Sequence, residues 1–359
     1  MHCDVKYRLL NAVNPYHWVT WMRNRAFDKR LLLSRCFDLP VICVGNITVG
    51  GTGKTPHTEY LIRLLKDKYR LAVLSRGYGR KSRGYVIADE KVTMQQLGDE
   101  PYQMHSKFPD VTVAVDENRV HGILALLSRK KEPDVILLDD AYQHRYVEAG
   151  MNILLIDYNR PIWRDAVLPF GRMRESIQGV ERADIVIVTK SPRELGCDEQ
   201  MQIKKLLAAI KEVPVFFSTM RYGEHYPLFP LQAAPAVPIG KESNVLLVTG
   251  IAKPEPLKAE LERRGANVRL MQYADHHNFS PAELDGIAAA LASMGNGGIM
   301  VTTEKDAARL ASYSTLPHII KNRAYVMPIE VEILNNEENL LNKKISDYVT
   351  ENSRDSIVP

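Results

Sequence analysis

No apolar run in this chain approaches the roughly 18 residues that a helix needs to cross a bilayer, and no signal-peptide pattern opens it. A helical membrane span is therefore excluded. Cysteine is scarce: Cys3, Cys36, Cys43 and Cys197 show neither paired metal spacing nor a disulfide framework. A reducing compartment fits, with Cys43 a buried free thiol inside a strand. Internal repeats and low-complexity tracts are absent too, which removes solenoids and long disordered tails. Net charge is missing from most of the chain, so no broad basic field marks a nucleic-acid binder. What remains is ordinary globular composition, 359 residues at 45% hydrophobic and 25% charged, long enough for two domains.

The formal charge of +4 is concentrated at one end. Residues 1–40 carry seven Lys/Arg (Lys6, Arg8, Arg23, Arg25, Lys29, Arg30, Arg35) against three acids (Asp4, Asp28, Asp38). Trp18 and Trp21 lie in the same stretch, with Tyr16, Met22, Phe27 and Leu31 to Leu33 nearby. Aromatic rings mixed with cations suit a helix lying at a lipid interface, rings at headgroup level and charges on anionic lipid. The same residues equally suit a segment docked on the protein's own core with a solvated basic face.

One stretch carries direct chemistry. Val41-Ile42-Cys43-Val44-Gly45 is a short apolar strand that breaks into Asn46-Ile47-Thr48-Val49-Gly50-Gly51-Thr52-Gly53-Lys54-Thr55. A helical pattern follows from Pro56, with Leu61, Leu64 and Leu65 at i, i+3, i+4 spacing. This is the strand–loop–helix context of a phosphate-binding loop. Gly50, Gly51 and Gly53 let the backbone turn its N–H groups to a polyphosphate, Lys54 reaches the β/γ-phosphates, and the Thr55 hydroxyl suits Mg²⁺. Thr48 stands where the general pattern has its first glycine. The segment implies nucleoside triphosphate binding through Thr48, Val49, Gly50, Gly51, Thr52, Gly53, Lys54 and Thr55.

Further along, β-branched runs alternate with helical patterns. Strands are expected at Val41–Gly45, Leu71–Ser75, Val111–Val115, Val135–Leu138, Ile153–Ile156 and Ile185–Thr189, with helices at 57–68, 116–130 and 198–211. The fold class expected is α/β: a P-loop NTPase-type doubly wound parallel sheet, with a second, smaller α/β domain joined by a strand linker. Its parts are an N-terminal basic and aromatic segment (1–38), the P-loop domain (39–213), the linker (214–238) and the smaller domain (239–359). Within the last, strands are expected at Asn244–Thr249, Val268–Tyr273 and Ile299–Thr302, and helices near 254–264 and 281–293. Ser280-Pro281-Ala282-Glu283 opens the second helix as a capping box. Tyr325–Leu334 reads as a strand returning across the linker, and 335–359 as a helix that frays.

Several polar clusters could carry chemistry. Val135–Leu138 ends in Asp139-Asp140, and adjacent residues on a strand face opposite ways, so one acid can serve metal while the other orients water or substrate. Gln143 and His144 follow at the crevice where such sheets bind ligands. In Gly98-Asp99-Glu100-Pro101, Asp99 suits a helix N-cap or a catalytic carboxylate. Asp275-His276-His277 suits a polar turn or a carboxylate–imidazole base. Arg76-Gly77-Tyr78-Gly79-Arg80-Lys81, Gly171-Arg172-Met173-Arg174-Glu175 and Asn118-Arg119 suit phosphate contacts or solvated basic turns.

Together, and in this order along the chain, the loop, Ser75–Arg80, Gly98–Pro101, Asp139–His144, Gly171–Glu175, Asp275–His277 and Thr303-Glu304-Lys305-Asp306 resemble the tetraacyldisaccharide 4'-kinases, the lipid A 4'-kinases of Gram-negative bacteria. Thr48 looks like that family's own variant of the loop. Ala141-Tyr142 departs from the more usual Gly-Phe or Gly-Leu, and Phe170 stands where Leu is commoner. The resemblance implies ATP and Mg²⁺ as cofactors, with Thr55 and an acid of the pair, Asp139, on the metal. It implies Lys54, Asp139 and Asp140 in catalysis, with Asp99 and His276 as a base dyad. Arg76, Arg80, Arg119, Gln143, His144, Arg174 and Glu175 become candidate contacts to substrate or phosphates. The reaction implied is phosphorylation of the 4'-hydroxyl of a tetraacylated glucosamine disaccharide 1-phosphate. The enzyme implied is a monomer that binds no nucleic acid and lies peripherally on the anionic cytoplasmic face of the inner membrane through residues 1–38.

The glycine-rich loop also resembles that of dimerising NTPases that sort proteins or deliver metals. Those carry clustered Cys/His ligands, which are missing here. A kinase for a soluble small molecule would leave the Trp18/Trp21 segment without a role.

Overall fold

The computed structural model describes residues 10–236, 238–251, 253–274, 277–313 and 315–353. The chain divides into two compact units: residues 1–92, 96–220 and 331–359 form the larger, and 93–95 with 221–330 the smaller. In chain order the strands are β1 (Val41–Gly45), β2 (Leu71–Ser75), β3 (Val86–Ile87), β4 (Thr112–Val115), β5 (Val135–Asp139), β6 (Met151–Asp157) and β7 (Ile185–Thr189). They continue as β8 (Val215–Tyr222), β9 (Tyr226–Pro227), β10 (Asn244–Thr249), β11 (Asn267–Gln272), β12 (Ile299–Thr303), β13 (Ala324–Met327) and β14 (Ile329–Ile333). The longer helices are α1 (Pro15–Asp28), α2 (Lys54–Leu65), α3 (Asp99–Lys107), α4 (Arg119–Leu127), α5 (Cys197–Ala208), α6 (Glu255–Arg263), α7 (Pro281–Ser293), α8 (Glu304–Ala311), α9 (His318–Arg323) and α10 (Glu338–Glu351).

The larger unit is built on a nine-stranded sheet in the order β14-β8-β7-β6-β1-β5-β2-β4-β3. From β8 to β4 every neighbouring pair is parallel, and β3 runs antiparallel against β4. The central strands are apolar at nearly every position because both faces are covered. Their period of two splits β1 between the two cores. Val41 and Cys43 join Leu138, Ile156 and Val188 on one face, while Ile42 and Val44 meet Ile62, Leu65, Val73 and Leu137 on the other. This is the doubly wound α/β arrangement expected from the sequence.

α1 is capped by Asn14, whose side-chain oxygen accepts from the Tyr16 and His17 amides at 3.0 and 3.3 Å. The same side chain donates to the Val167 and Leu168 carbonyls at 3.1 and 2.7 Å. Phe27 is buried beneath the helix end. α1 is thus docked on its own unit at both ends, while Trp18, Val19, Trp21 and Met22 between them stay exposed.

Two expectations need correction. Tyr325–Leu334 is not one strand, because Pro328 separates β13 in the smaller sheet from β14 in the larger. The last part of the chain also does not stay with the smaller domain; from Val331 it returns to the larger unit. Val331 and Ile333 alternate into the larger core, and Leu341, Ile345 and Val349 add a fully buried i, i+4, i+8 stripe from α10. The residues between them are Asn342, Lys343, Lys344, Ser346, Asp347 and Tyr348, which is why the segment looks like a solvated tail. The 214–238 stretch likewise gives the larger sheet an eight-residue strand, β8.

The smaller unit carries a five-stranded sheet, β11-β10-β12-β13-β9, parallel except for the pairing of β9 with β13. β10 divides between two cores in the same way, Leu246 and Val248 to one and Val245 and Leu247 to the other. Ser280 and Glu283 form the expected reciprocal capping box at the start of α7.

Candidate active site

Between β1 and α2 the chain turns on Gly53, which sits at φ +85° as the residue before the helix. A side chain there would be strained in conformation and would strike the end of Met220 at 2.6 Å. The loop is stapled from several sides. Asn46 Nδ2 donates to Thr52 Oγ1 at 2.7 Å, and Thr189 Oγ1 donates to the Thr52 carbonyl at 2.9 Å. Lys190 donates to the Gly51 carbonyl and to Asp157. The arm leading into the loop pairs with the Gly171–Glu175 motif. Val49 N–H donates to the Arg172 carbonyl and Arg174 N–H to the Ile47 carbonyl, both at 2.7 Å, and Thr48 bridges Met173. The N-terminus of α2 begins directly at the end of this loop, an arrangement suited to phosphate.

β5 lies directly beside β1, with Val44 paired to Asp139. The two acids at its end take different surroundings. Asp139 is buried and accepts from Thr58 Oγ1 at 3.0 Å and Ser75 Oγ at 3.2 Å. Asp140, at φ +47°, turns out of the strand. It lies 3.6 Å from Lys54 Nζ and 3.0 Å from an Arg174 guanidinium nitrogen. Burial raises the Asp139 carboxyl to about 7, helped by the nearby Glu100 and Asp140 carboxylates and opposed by Lys54 and the Thr58 hydroxyl.

Around this centre Gln143 Nε2 donates to the Asn46 carbonyl at 2.7 Å and to Glu175 at 2.9 Å. Glu175 is buried and also accepts from Arg182 at 2.8 and 2.9 Å and from Asn24 of α1 at 2.8 Å. Arg182 in turn lies over the Tyr142 ring, 4.7 Å from its centroid. His144 Nε2 accepts the Arg119 backbone N–H at 3.3 Å, so its proton sits on Nδ1. Burial, reinforced by Arg119, Arg23 and Arg76, lowers this imidazole to about 4 and keeps it neutral.

The expected basic contacts separate. Arg76 is exposed at the end of β2. Arg174 faces Asp140 and Gln143. Arg80 is held by Glu117 at 2.7 Å, the Gly84 carbonyl at 2.7 Å and Ser82 at 3.2 Å. Arg119 is buried, donating to the Asp116 carbonyl at 2.8 Å. Both of these guanidinium groups fix the loops after β2 and β4. The turn at Gly77-Tyr78 lies against Gly98, where a Cβ would come within 2.8 Å of the Tyr78 carbonyl. The Ser75–Arg80 and Gly98–Pro101 motifs thus meet backbone to backbone.

Gly98, rather than Asp99, occupies the cap position of α3. Asp99 and Glu100 form the first turn of the helix, where the helix dipole favours carboxylates. In the smaller unit, Asp275 and His276 lie outside the described residues. His277 stacks on Tyr273 with ring centroids 5.0 Å apart, and its Nε2 is 3.0 Å from Glu283 of the capping box. The Ser280 amide and His277 hold the Glu283 carboxyl at about 2.

Residues not anticipated from the sequence are His57, Thr58, Glu59, Thr189 and Lys190. Lys190 could have been found, since it follows a buried strand at the ligand-binding end of the sheet. His57 is buried and lowered to about 4 by desolvation; its Nδ1 lies 2.7 Å from the Gly53 carbonyl and its Nε2 3.0 Å from Ser218 Oγ. His57, Thr58 and Glu59 look like a solvated helix face, and nothing local distinguishes them from one.

A family model described as tetraacyldisaccharide-1-P 4'-kinase (LpxK) matches residues 7–349. A tetraacyldisaccharide 4'-kinase of Bacteroides thetaiotaomicron is 48% identical over 356 residues, covering 95% of this chain and 94% of its own. One from Flavobacterium johnsoniae is 46% identical over 338 residues, covering 94% and 95%. A crystal structure of LpxK from Aquifex aeolicus in complex with ATP is similar with a TM-score of 0.73 at 30% identity, covering 96% of this chain and 99% of the other. With the phosphate loop, the paired acids and the Gly171–Glu175 arm assembled in the family's order, the chain belongs to the tetraacyldisaccharide-1-P 4'-kinase family.

Proposed function

We infer that this enzyme transfers the γ-phosphoryl group of ATP to the 4'-hydroxyl of a tetraacylated glucosamine disaccharide 1-phosphate, a step of lipid A biosynthesis. The observation that carries this reading is the loop between β1 and α2. It brings Lys54 within 3.6 Å of Asp140, with buried Asp139 behind, in a chain matched to the kinase family over residues 7–349. Phosphoryl transfer asks a protein mainly for positioning and charge neutralisation. Lys54, Arg174 and the α2 amides supply positive charge to the phosphates. Thr48 to Thr55 cradle them. Asp99 accepts the hydroxyl proton as the 4'-oxygen attacks, with His276 proposed as the second member of the base dyad.

The residues also fit Mg²⁺. Thr55 and a carboxylate offer hard oxygen donors. Asp139, pushed to about 7, is a carboxylate whose charge the protein alone leaves poorly compensated. Among the described residues no group of three His, Cys, Asp or Glu forms an all-protein metal cage. That agrees with an ion held by one or two protein oxygens together with phosphate and water. When bound, held by Thr55 and a carboxylate of the Asp139/Asp140 pair, the ion would supply positive charge against the phosphates.

The test is transfer of ³²P from γ-labelled ATP to the purified disaccharide 1-phosphate in mixed micelles. Wild type labels the lipid strongly, and Asp99→Ala and His276→Ala each lose at least a hundredfold. Labelling that survives in both variants keeps the kinase and removes the dyad. ATP hydrolysis without any lipid labelling favours a switch NTPase instead.

The acceptor is a lipid, and α1 supports access to it. Trp18, Val19, Trp21 and Met22 are 49, 59, 40 and 55% exposed on a helix with Arg25 in its last turn, and Leu31 and Leu33 follow, also exposed. Among the described residues no helix is long and apolar enough to cross a membrane. On the exposed rings of α1 we propose that the enzyme lies peripherally on the anionic cytoplasmic face of the inner membrane, and we take it to be a monomer. Replacing Trp18, Trp21 and Met22 together by Ser weakens flotation with anionic vesicles at least tenfold, while ATP binding is unchanged. Undiminished flotation would remove α1 as the anchor. Deleting residues 1–38 is the poorer test, since it also strips Asn24 from Glu175 and Arg23 from the Gln143 carbonyl.

A further inference from the structure

Three consecutive residues of α2 each reach a different part of the larger unit. His57 meets the Gly53 carbonyl and Ser218 of β8, and Thr58 donates to Asp139 of β5. Glu59 turns to α3. Its Oε1 accepts from Gln103 Nε2 at 2.8 Å and its Oε2 from Lys107 Nζ at 2.6 Å, with Arg63 at 3.3 Å. Steps of about 100° per residue send the three side chains to three neighbours.

Glu59 is an unusual residue to find in such a place. It is 1% exposed, and Lys107 and Gln103 are themselves largely buried. A carboxylate removed from water is tolerated only when it is paired and hydrogen-bonded on both oxygens, which this one is. A hydrophobic residue would have packed the same helices without demanding one relative position. A carboxylate gripped at two points by residues four apart fixes both the distance and the rotation of α3.

The face of α3 that Glu59 holds is the one that begins at Asp99. Asp99, Gln103 and Lys107 stand at i, i+4 and i+8, one above another on the helix. The start of α3 is also fixed toward the site, because its cap Gly98 packs on the Gly77-Tyr78 turn after β2, the strand beside the one that ends in Asp139. α2 carries Lys54 at one end and Glu59 two turns along. The same rigid helix therefore sets the lysine and, through α3, the carboxylate.

We propose that Glu59 is a positioning residue for phosphoryl transfer, holding Asp99 at a fixed reach from the phosphate loop through Gln103 and Lys107. This rests on Asp99 being the base proposed above. It assigns work to a residue that touches neither nucleotide nor lipid, and it accounts for a buried charge that the reaction itself does not use.

The experiment measures lipid labelling and the binding of a fluorescent ATP analogue for Glu59→Gln, Asp99→Ala and the two combined. Glu59→Gln is expected to lower kcat at least tenfold, to move the affinity for the analogue less than threefold, and to cost under twofold more in the Asp99→Ala background. Because Glu59→Gln leaves Lys107 buried beside a neutral partner, the charge-balanced pair Glu59→Gln with Lys107→Met is run in parallel, and Gln103→Met as a milder variant. An unchanged kcat overturns the proposal. So does an equal loss with and without Asp99, or a fall in nucleotide affinity that matches the fall in rate, since either makes Glu59 a general support of the fold or loop. Full activity of Asp99→Ala alone removes the base and leaves Glu59 to be judged by its own kcat, so the two failures are told apart.

Discussion

Lys54→Ala lowers phosphoryl transfer at least a thousandfold, a loss of roughly 4 kcal/mol in transition-state stabilisation at 1.36 kcal/mol per decade. Lys54 is the first residue of α2 and its side chain is only 13% exposed. Its ammonium is already held over the loop by Asp140 at 3.6 Å, so little conformational freedom is lost on reaching phosphate. Charge spreads over the γ-phosphoryl oxygens as the bonds loosen, and the lysine's interaction strengthens at that moment rather than in the ground state. The loss should therefore fall on kcat more than on the KM for ATP. Steady-state labelling of the lipid decides it. A loss under tenfold would take Lys54 off the transferring phosphoryl group.

Asp139→Asn should move activity and stability in opposite directions. Transfer falls at least a hundredfold, ~2.7 kcal/mol, because the buried carboxylate that Thr58 and Ser75 hold beside the loop, and that suits the metal, is gone. Folding stability rises, and the rise depends on pH. Burial raises the folded carboxyl to about 7, against an ordinary 3.8. The native state therefore keeps a proton that the unfolded chain releases near 3.8. The stability this carboxyl contributes is full at pH below about 4 and falls as pH rises through the window up to about 7. Above that it is lost, at a cost of up to ~4 kcal/mol. Asparagine cannot ionise and is spared the loss. Its stabilisation over wild type is then near zero at pH 4, grows between pH 4 and 7, and is level above. Urea unfolding of both proteins at pH 4.5 and pH 8 measures this directly. A gain equal at both pH values, or a loss at pH 8, would mean that Asp139 is not the strained acid that its surroundings make it.

The phosphate loop could be read from the sequence because its physics is local. Gly50, Gly53, Lys54 and Thr55 act through backbone freedom and neighbouring charge, and all lie within a few residues. The parallel strands were visible for a related reason: with both faces buried, Val41–Val44 and Ile185–Val188 leave no room for polar residues. The Asp139/Asp140 pair also stood out, and alternation already required the two to part. What stayed hidden depends on partners far away in sequence. Glu59 meets residues more than 40 positions later, so on its own helix it resembles any exposed glutamate. Arg80 and Arg119 looked like free cations and are tied into loops. The buried stripe of α10 was masked by the polar residues between Leu341, Ile345 and Val349. The direction of the Asp99 helix cap turned on one residue, Gly98, whose backbone at φ +90° no propensity argument foresees.

The return of β14 and α10 to the larger unit has a consequence for synthesis. β8 is finished at Tyr222, but its neighbour at the sheet's edge begins at Ile329. At ribosomal rates of about 5–20 residues per second, that edge waits roughly 5–20 s for its partner. An unpaired strand edge is a template for misplaced pairing. Over the same interval the apolar floor that Leu341, Ile345 and Val349 later cover has no lid. The kinase unit, although it starts the chain, is the last part of it to close, and a ribosome that stops early releases a sheet with its edge bare.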